Sequence, residues 1–195
     1  INSVTGYKPA NLIGTRSKNG ISNLSIISSV THLGSNPALL GFLLRPASVP
    51  RHTYNNIKEN GFYTINHVHE SFVDKAHYTS AKFDEEISEF SACGLTEESH
   101  NGFFAPFVKE SNLKIGMHFL EEYTIRANKT IMIVGEIVNL LLPEEIINSE
   151  GDLDLNAAGD VCISSLNNYH AVSQIAAFQY ARPGQPPVNK IKNKN

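Results

Sequence analysis

Arg45, Arg51, His52 and Thr53 stand close together, where an apolar run ends and a helical pattern begins. A guanidinium presents a fork suited to phosphate, and the free N–H groups of a helix start favour an anion. Together they could hold a phosphate. Read plainly, the same residues are a Thr53 N-cap with two surface arginines. The stretch Asn23 to Thr31, "NLSIISSVT", offers a second chemistry. With period two, Leu24, Ile26, Ser28 and Val30 face one way, and Asn23, Ser25, Ile27, Ser29 and Thr31 the other. Neither face carries a charge. The Asn23 face is either a solvated strand face of small residues, the simpler reading of the pattern, or a track where a flat ring approaches the backbone. A third group lies in "AHYTSAKF" (76–83), where His77, Thr79 and Ser80 fall between two helical patterns. They either cap the following helix or wall the same pocket.

Other arrangements fail on spacing. His67 and His69 share a strand face, but no third ligand follows at a recognisable interval, so no metal is expected. The loop "DLDLNAAGD" puts Gly159 too late for a calcium loop and Ile163 where the closing glutamate belongs. There is no nucleophile elbow, P-loop or GxGxxG. With no catalytic side-chain set visible, enzymatic chemistry would rest on a cofactor.

The elements that must position these groups are short. The chain has 195 residues, 41% hydrophobic and 18% charged, enough for one domain with a sizeable core. A net charge of −3 argues against nucleic-acid binding, and no apolar run is long enough to span a bilayer as a helix. Cys93 and Cys162 are far apart with no CxxC, which reads as two thiols in a reducing, cytoplasmic setting. The chain opens at Ile1 without a basic-then-apolar leader, so no signal peptide is expected, and the native start is left open.

"YKPANLIGTRSKNGISNLSIISSVT" predicts strand, tight turn and strand, with Asn19-Gly20 as the turn. "PALLGFLLRP" predicts a third strand. "TYNNIKENG" predicts a helix capped by Thr53 and stopped by Gly61, and "FYTINHV" a fourth strand. "ESFVDKAHY" and "ISEFSAC" predict short helices, the second stopped by Gly94. "LKIGMHFLEEYTI" and "TIMIVGEIVNLLLP" predict two long strands joined at "RANK". Residues 161–182 stay ambiguous. The pattern describes one domain over 1–182 and a Pro-rich, basic tail over 183–195, disordered or draped on a partner. Six or so strands joined by short turns do not alternate as βαβ units; they fit a mainly β, antiparallel barrel with short peripheral helices.

From about Gly6 to Phe119, the segments "NLIGTRSKNGISNLSIISSV", "SNPALLGFLLRP", "RHTYNNIKENGFYTIN", "KAHYTSAKFDEEISEF" and "APFVKESNLKI" occur in an order and spacing that resembles the flavin reductase-like, FMN-binding split-barrel family, especially its flavoredoxin-type branch. Further on, "SSLNNYHAV" is similar to the family's late Gly-rich, Tyr-containing segment, with Asn167 and Asn168 where glycines are common. The resemblance implies a six-stranded split barrel, a homodimer and one FMN per subunit near the dimer interface. It implies ring and ribityl contacts at Asn23, Leu24, Ser25, Ser28 and Ser29. It places Arg45, Arg51 and Thr53 on the phosphate side, and His77, Thr79 and Ser80 in a segment closing over the flavin. It implies hydride from NADH or NADPH, and electrons passed to free flavin or a small redox protein. An electron carrier with no nicotinamide activity, and a structural module whose pocket is empty or holds haem, are the alternatives.

Overall fold

Local alternation builds the first hairpin. The computed structural model describes residues 1–46 and 51–191. After a two-residue strand, Lys8–Pro9 (β1), come β2 (Asn11–Arg16) and β3 (Ser22–Ile27). They pair antiparallel, with Gly14 opposite Leu24 and Thr15 opposite Asn23. The Ser17 N–H donates to the Ile21 carbonyl across the turn at 2.9 Å, and Gly20 takes φ +85°, which it adopts without a Cβ penalty. Adjacent β2 residues go to opposite cores. Ile13 joins Phe42, Ile57, Tyr63, Ile65, Met117 and Ile133 inside the barrel, while Leu12 joins Leu24, Phe72, Ala76 and Phe90 outside it. Both faces of β2 are therefore covered.

The strand predicted through Val30 ends earlier. β3 stops at Ile27, the chain bends, and it restarts as β4 (Thr31–Ser35), which forms a hairpin with β5 (Ala38–Leu44). Ser28 and Ser29 bring no large apolar side chain to hold a straight strand against a core. Instead the Ser29 hydroxyl accepts from the Leu43 N–H at 2.9 Å and pairs with the Leu43 carbonyl at 3.2 Å. This side chain ties the chain just past β3, one edge of a sheet whose order is β3-β2-β6-β9-β10-β5-β4, to β5, next to its other edge. The barrel is thus split, and the main sheet has seven strands rather than the six expected, because β4 forms from residues to which, past Thr31, the sequence pattern assigns no strand.

Helix α1 (His52–Asn60) begins one residue before Thr53. Its N-cap is Arg51, in extended backbone with no side-chain cap bond, so the expected Thr53 cap is corrected. Thr53, Asn56 and Ile57 share its buried face, the spacing of one helical stripe. Gly61 closes it at φ +74°, its N–H on the Ile57 carbonyl. Strand β6 (Phe62–His67) follows, then a 3₁₀ turn and α2 (Val73–Tyr78), then α3 (Glu89–Cys93), ended by Gly94 at φ +69°. A small ladder of β7 (Glu97–Glu98) and β8 (Phe107–Val108) precedes the long hairpin β9 (Lys114–Thr124) and β10 (Ile131–Leu141). The ambiguous stretch contains β11 (Val161–Ser164) and β12 (Asn168–Ala171), which form a separate sheet with β1.

The tail through Ile191 is folded back rather than free. The Lys190 N–H donates to the Ala177 carbonyl at 2.8 Å, and Lys190 Nζ pairs with Glu150 at 2.7 Å. Lys192 and Lys194, the rest of the basic end, lie outside the described residues. Among the described residues, no helix is long and apolar enough to cross a membrane. Both cysteines are free, Cys93 buried and Cys162 half-buried.

Candidate functional site

A buried amide must find partners or pay its desolvation. Asn23, 6% exposed on β3, finds them on α1 and β2. Its Nδ2 donates to Thr53 Oγ1 at 3.0 Å and to Thr15 Oγ1 at 3.3 Å. Asn56, one turn along α1, donates to the same Thr15 hydroxyl at 3.1 Å. Two segments some thirty positions apart in the chain are thereby locked together: the small-residue strand and the start of the helix. Thr53 is a structural link in this lock, a role distinct from the cap its position predicted.

Beside the lock, two groups have spare capacity. Among the described residues, the Arg51 Nε is buried and has no hydrogen-bond partner. Arg51 precedes the first turn of α1, whose leading N–H groups have no intrahelical acceptor. Arg45 stands exposed at the end of β5, just past the Leu43 that Ser29 engages. Among the described residues, β3 is an edge strand, paired only with β2. The Leu24 N–H points away from β2, and by alternation the backbone groups of Ile26 point the same way. Ser25 and Ser28 are half-buried along this edge, and the Leu24 side chain is fully buried in the outer core.

The Leu24 N–H is not free. It donates to Glu89 Oε2 at 2.9 Å. Glu89 opens α3 and is itself 6% exposed. Burial pushes its carboxyl pKa up; the Leu24 N–H, its own N–H and nearby His52 pull against that. The sequence reading missed Glu89. A glutamate at a helix start is ordinary, and only packing against β3 sets this one apart.

The third predicted group is only partly assembled. His77 Nδ1 lies 3.1 Å from the Tyr169 hydroxyl, with the rings edge-on at 5.7 Å. Burial pushes the Tyr169 phenol up to about 12. The two line a shallow cleft of about 440 Å³ with Glu70, Val73, Asp74 and Asn167. Val73 and Tyr169 also pack on the outer core that holds Leu24, with Ile26. Thr79 is turned inward, its hydroxyl donating to the Ala76 carbonyl at 2.8 Å, while Ser80 is exposed and its N–H meets the His77 carbonyl. Tyr169 lies in the late segment to which no role was given. The histidine pair is also divided: His67 Nδ1 meets Asp160 Oδ2 at 2.5 Å, and His69 Nδ1 accepts from the Ser71 N–H. Among the described residues, no group of three or more His, Cys, Asp or Glu could hold a metal.

Comparison with known proteins decides the lineage. Residues 7–157 match the flavin reductase like domain. The chain belongs to that family. A solved structure from Shewanella frigidimarina, assigned as a flavin reductase with a split barrel domain, is 47% identical, covers 92% of this chain and 89% of its own, and superposes with a TM-score of 0.89. Flavoredoxin of Desulfovibrio vulgaris (Miyazaki F) is 24% identical over 92% of this chain and 94% of its own, with a TM-score of 0.77, a likeness of fold. An uncharacterised protein of Methanothermobacter thermautotrophicus is 29% identical over 88% of this chain and 82% of its own length. In this flavin reductase-like chain the split-barrel expectation holds, with the extra edge strand β4 as its main departure.

Proposed function

We propose that this flavin reductase-like protein is an FMN-dependent oxidoreductase acting as a homodimer, taking hydride from NADH or NADPH and passing electrons to free flavin or a small protein acceptor. The observation that carries the reading is the Asn23–Thr53 bond, which brings an uncharged edge strand against a helix start whose neighbouring Arg51 Nε is buried without a partner among the described residues. The residues fit FMN at both ends. A phosphomonoester carries about −1.5 to −2 charge at neutral pH and needs several donors. Arg51, the first N–H groups of α1 and Arg45 supply them. A flat ring needs close approach and polar edge contacts, which Ser25, Ser28 and the open backbone edge of β3 at Ile26 supply. When bound, the flavin provides the hydride-accepting centre that no side chain here provides.

The protein's own residues orient and shield. Leu24 and Ile26 give the strand an apolar backing from the outer core. His77 and Tyr169 form a polar wall on the α2 side. Backbone N–H groups at a strand edge stabilise negative charge on a reduced ring without a titrating side chain. Support for a second copy comes from β9, β10, β5 and β4, consecutive in the sheet, which expose Leu120, Tyr123, Val138, Leu140, Leu43 and Leu33.

The test is anaerobic. FMN-loaded protein mixed with NADH, then separately with NADPH, should bleach the oxidised flavin absorbance with at least one of them. Flavin that stays oxidised with both removes the reductase assignment and leaves an electron carrier. A protein that never retains FMN removes both.

A further inference from the structure

Among the described residues, Glu89 is the one buried acidic side chain at this site, and the redox chemistry above does not use it. Its carboxylate sits on the Leu24 N–H, at the open edge of β3. The Asn23–Thr53 bond holds the start of α1 against the same strand, and His52, the first residue of α1, is close enough to act on the Glu89 charge. A negative group is thus built in beside the place where an anionic ligand would settle.

We infer that Glu89 couples ligand binding to proton uptake: the carboxyl takes a proton from solvent when the phosphate-bearing flavin settles against β3 and α1, so affinity for FMN falls as pH rises. The inference rests on the FMN reading above and adds the group that sets its pH dependence. Like charges brought together in a place shielded from water disfavour ionisation, so the bound state holds the Glu89 proton more tightly than the free state. Binding is then strongest below the free-state pKa and weakens as pH climbs through the bound-state pKa. The neutral acid keeps an oxygen for the Leu24 N–H, so protonation leaves the strand contact in place.

The groups facing Glu89 are few. His52 lies on the α1 side, and β3 contributes no titrating side chain. On α3 itself, Cys93 is held up at about 11 by burial and by Glu89, and stays a neutral thiol. Lys75 of α2 lies at the far end of α3, bonded to the Gly94 carbonyl.

The test measures FMN dissociation constants by flavin fluorescence between about pH 5.5 and about pH 8, for wild type and Glu89→Gln. The glutamine keeps an acceptor for Leu24 but cannot titrate. The ratio of wild-type to variant Kd should rise roughly tenfold across that range, the effect of about one pKa unit of coupling. The second ionisation of the FMN phosphate acts on both proteins alike and cancels in the ratio. Repeating the pair in a His52→Gln background should preserve the rise. Calorimetry in two buffers of different ionisation enthalpy should show the wild type taking up more protons per FMN than Glu89→Gln, or than Glu89→Ala if the glutamine variant does not fold, so that proton exchange by the phosphate cancels. Parallel pH curves, a rise that vanishes without His52, or equal proton uptake by wild type and variant would each overturn it while leaving FMN binding intact. Absence of FMN binding at every pH would overturn the parent reading and this one together.

Discussion

Arg45→Ala/Arg51→Ala protein should bind FMN roughly a hundredfold more weakly than wild type while keeping its circular dichroism spectrum. Hydrogen bonds to charged groups contribute about 1.5–3 kcal/mol each, and about 1.4 kcal/mol is tenfold in Kd. Arg51 carries the larger share. Its Nε is already buried without a partner among the described residues, so that nitrogen has no water to shed on binding. Arg45 is exposed and has more water to shed and more freedom to lose. The single variants should therefore rank Arg51→Ala well above Arg45→Ala. Fluorescence titration decides it: equal affinity in the double variant and wild type would remove the phosphate end of the site. Neither arginine belongs to the main hydrogen-bonded sheet, so a loss of fold is not the expected route to weaker binding.

Gly14→Ala should be the most damaging single methyl in the barrel. A Cβ there would overlap both the Pro106 carbonyl oxygen and the Thr64 hydroxyl. Those two atoms are already bonded at 2.6 Å, and Thr64 also accepts from Asn66 at 2.9 Å. The new methyl meets backbone on one side and a buried polar network on the other. Overpacking costs about 1–3 kcal/mol and a disturbed buried bond about 1 more, which for a chain of this size lowers Tm by roughly 6–12 °C. Because Gly14 faces Leu24 across the β2–β3 ladder, the displacement passes directly to the site strand. Gly20→Ala, in an exposed turn with nothing within 4 Å of the added carbon, should cost much less despite φ +85°. Calorimetry showing the two variants unfolding alike would mean that β2 is not packed as described.

The sequence discloses elements whose signals are local. The β2–β3 hairpin, the stops at Gly61 and Gly94 and the long β9–β10 pair announce themselves through turn residues and alternation. The break at Ser28–Val30 does not, because serine and threonine suit a strand and a bend equally; what ends β3 is Ser29 reaching a remote strand. β1, β7, β8, β11 and β12 are only two to four residues long, too short for a period to register. The site divides the same way. Residue type and spacing point to Asn23, Arg51 and Thr53, but not to the bond that makes Thr53 the partner of Asn23. Glu89 and Tyr169 are functional candidates only through burial and contact, which arise after the chain has folded.

The most direct measurement is a crystal structure grown with saturating FMN. The phosphate should lie within hydrogen-bond distance of the Arg51 guanidinium and the first N–H groups of α1, with the ring along β3 at Ser25 to Ser28. A flavin held elsewhere, such as the His77–Tyr169 cleft, or a β3 edge covered at Ile26 by the protein's own side chains, would contradict the assignment.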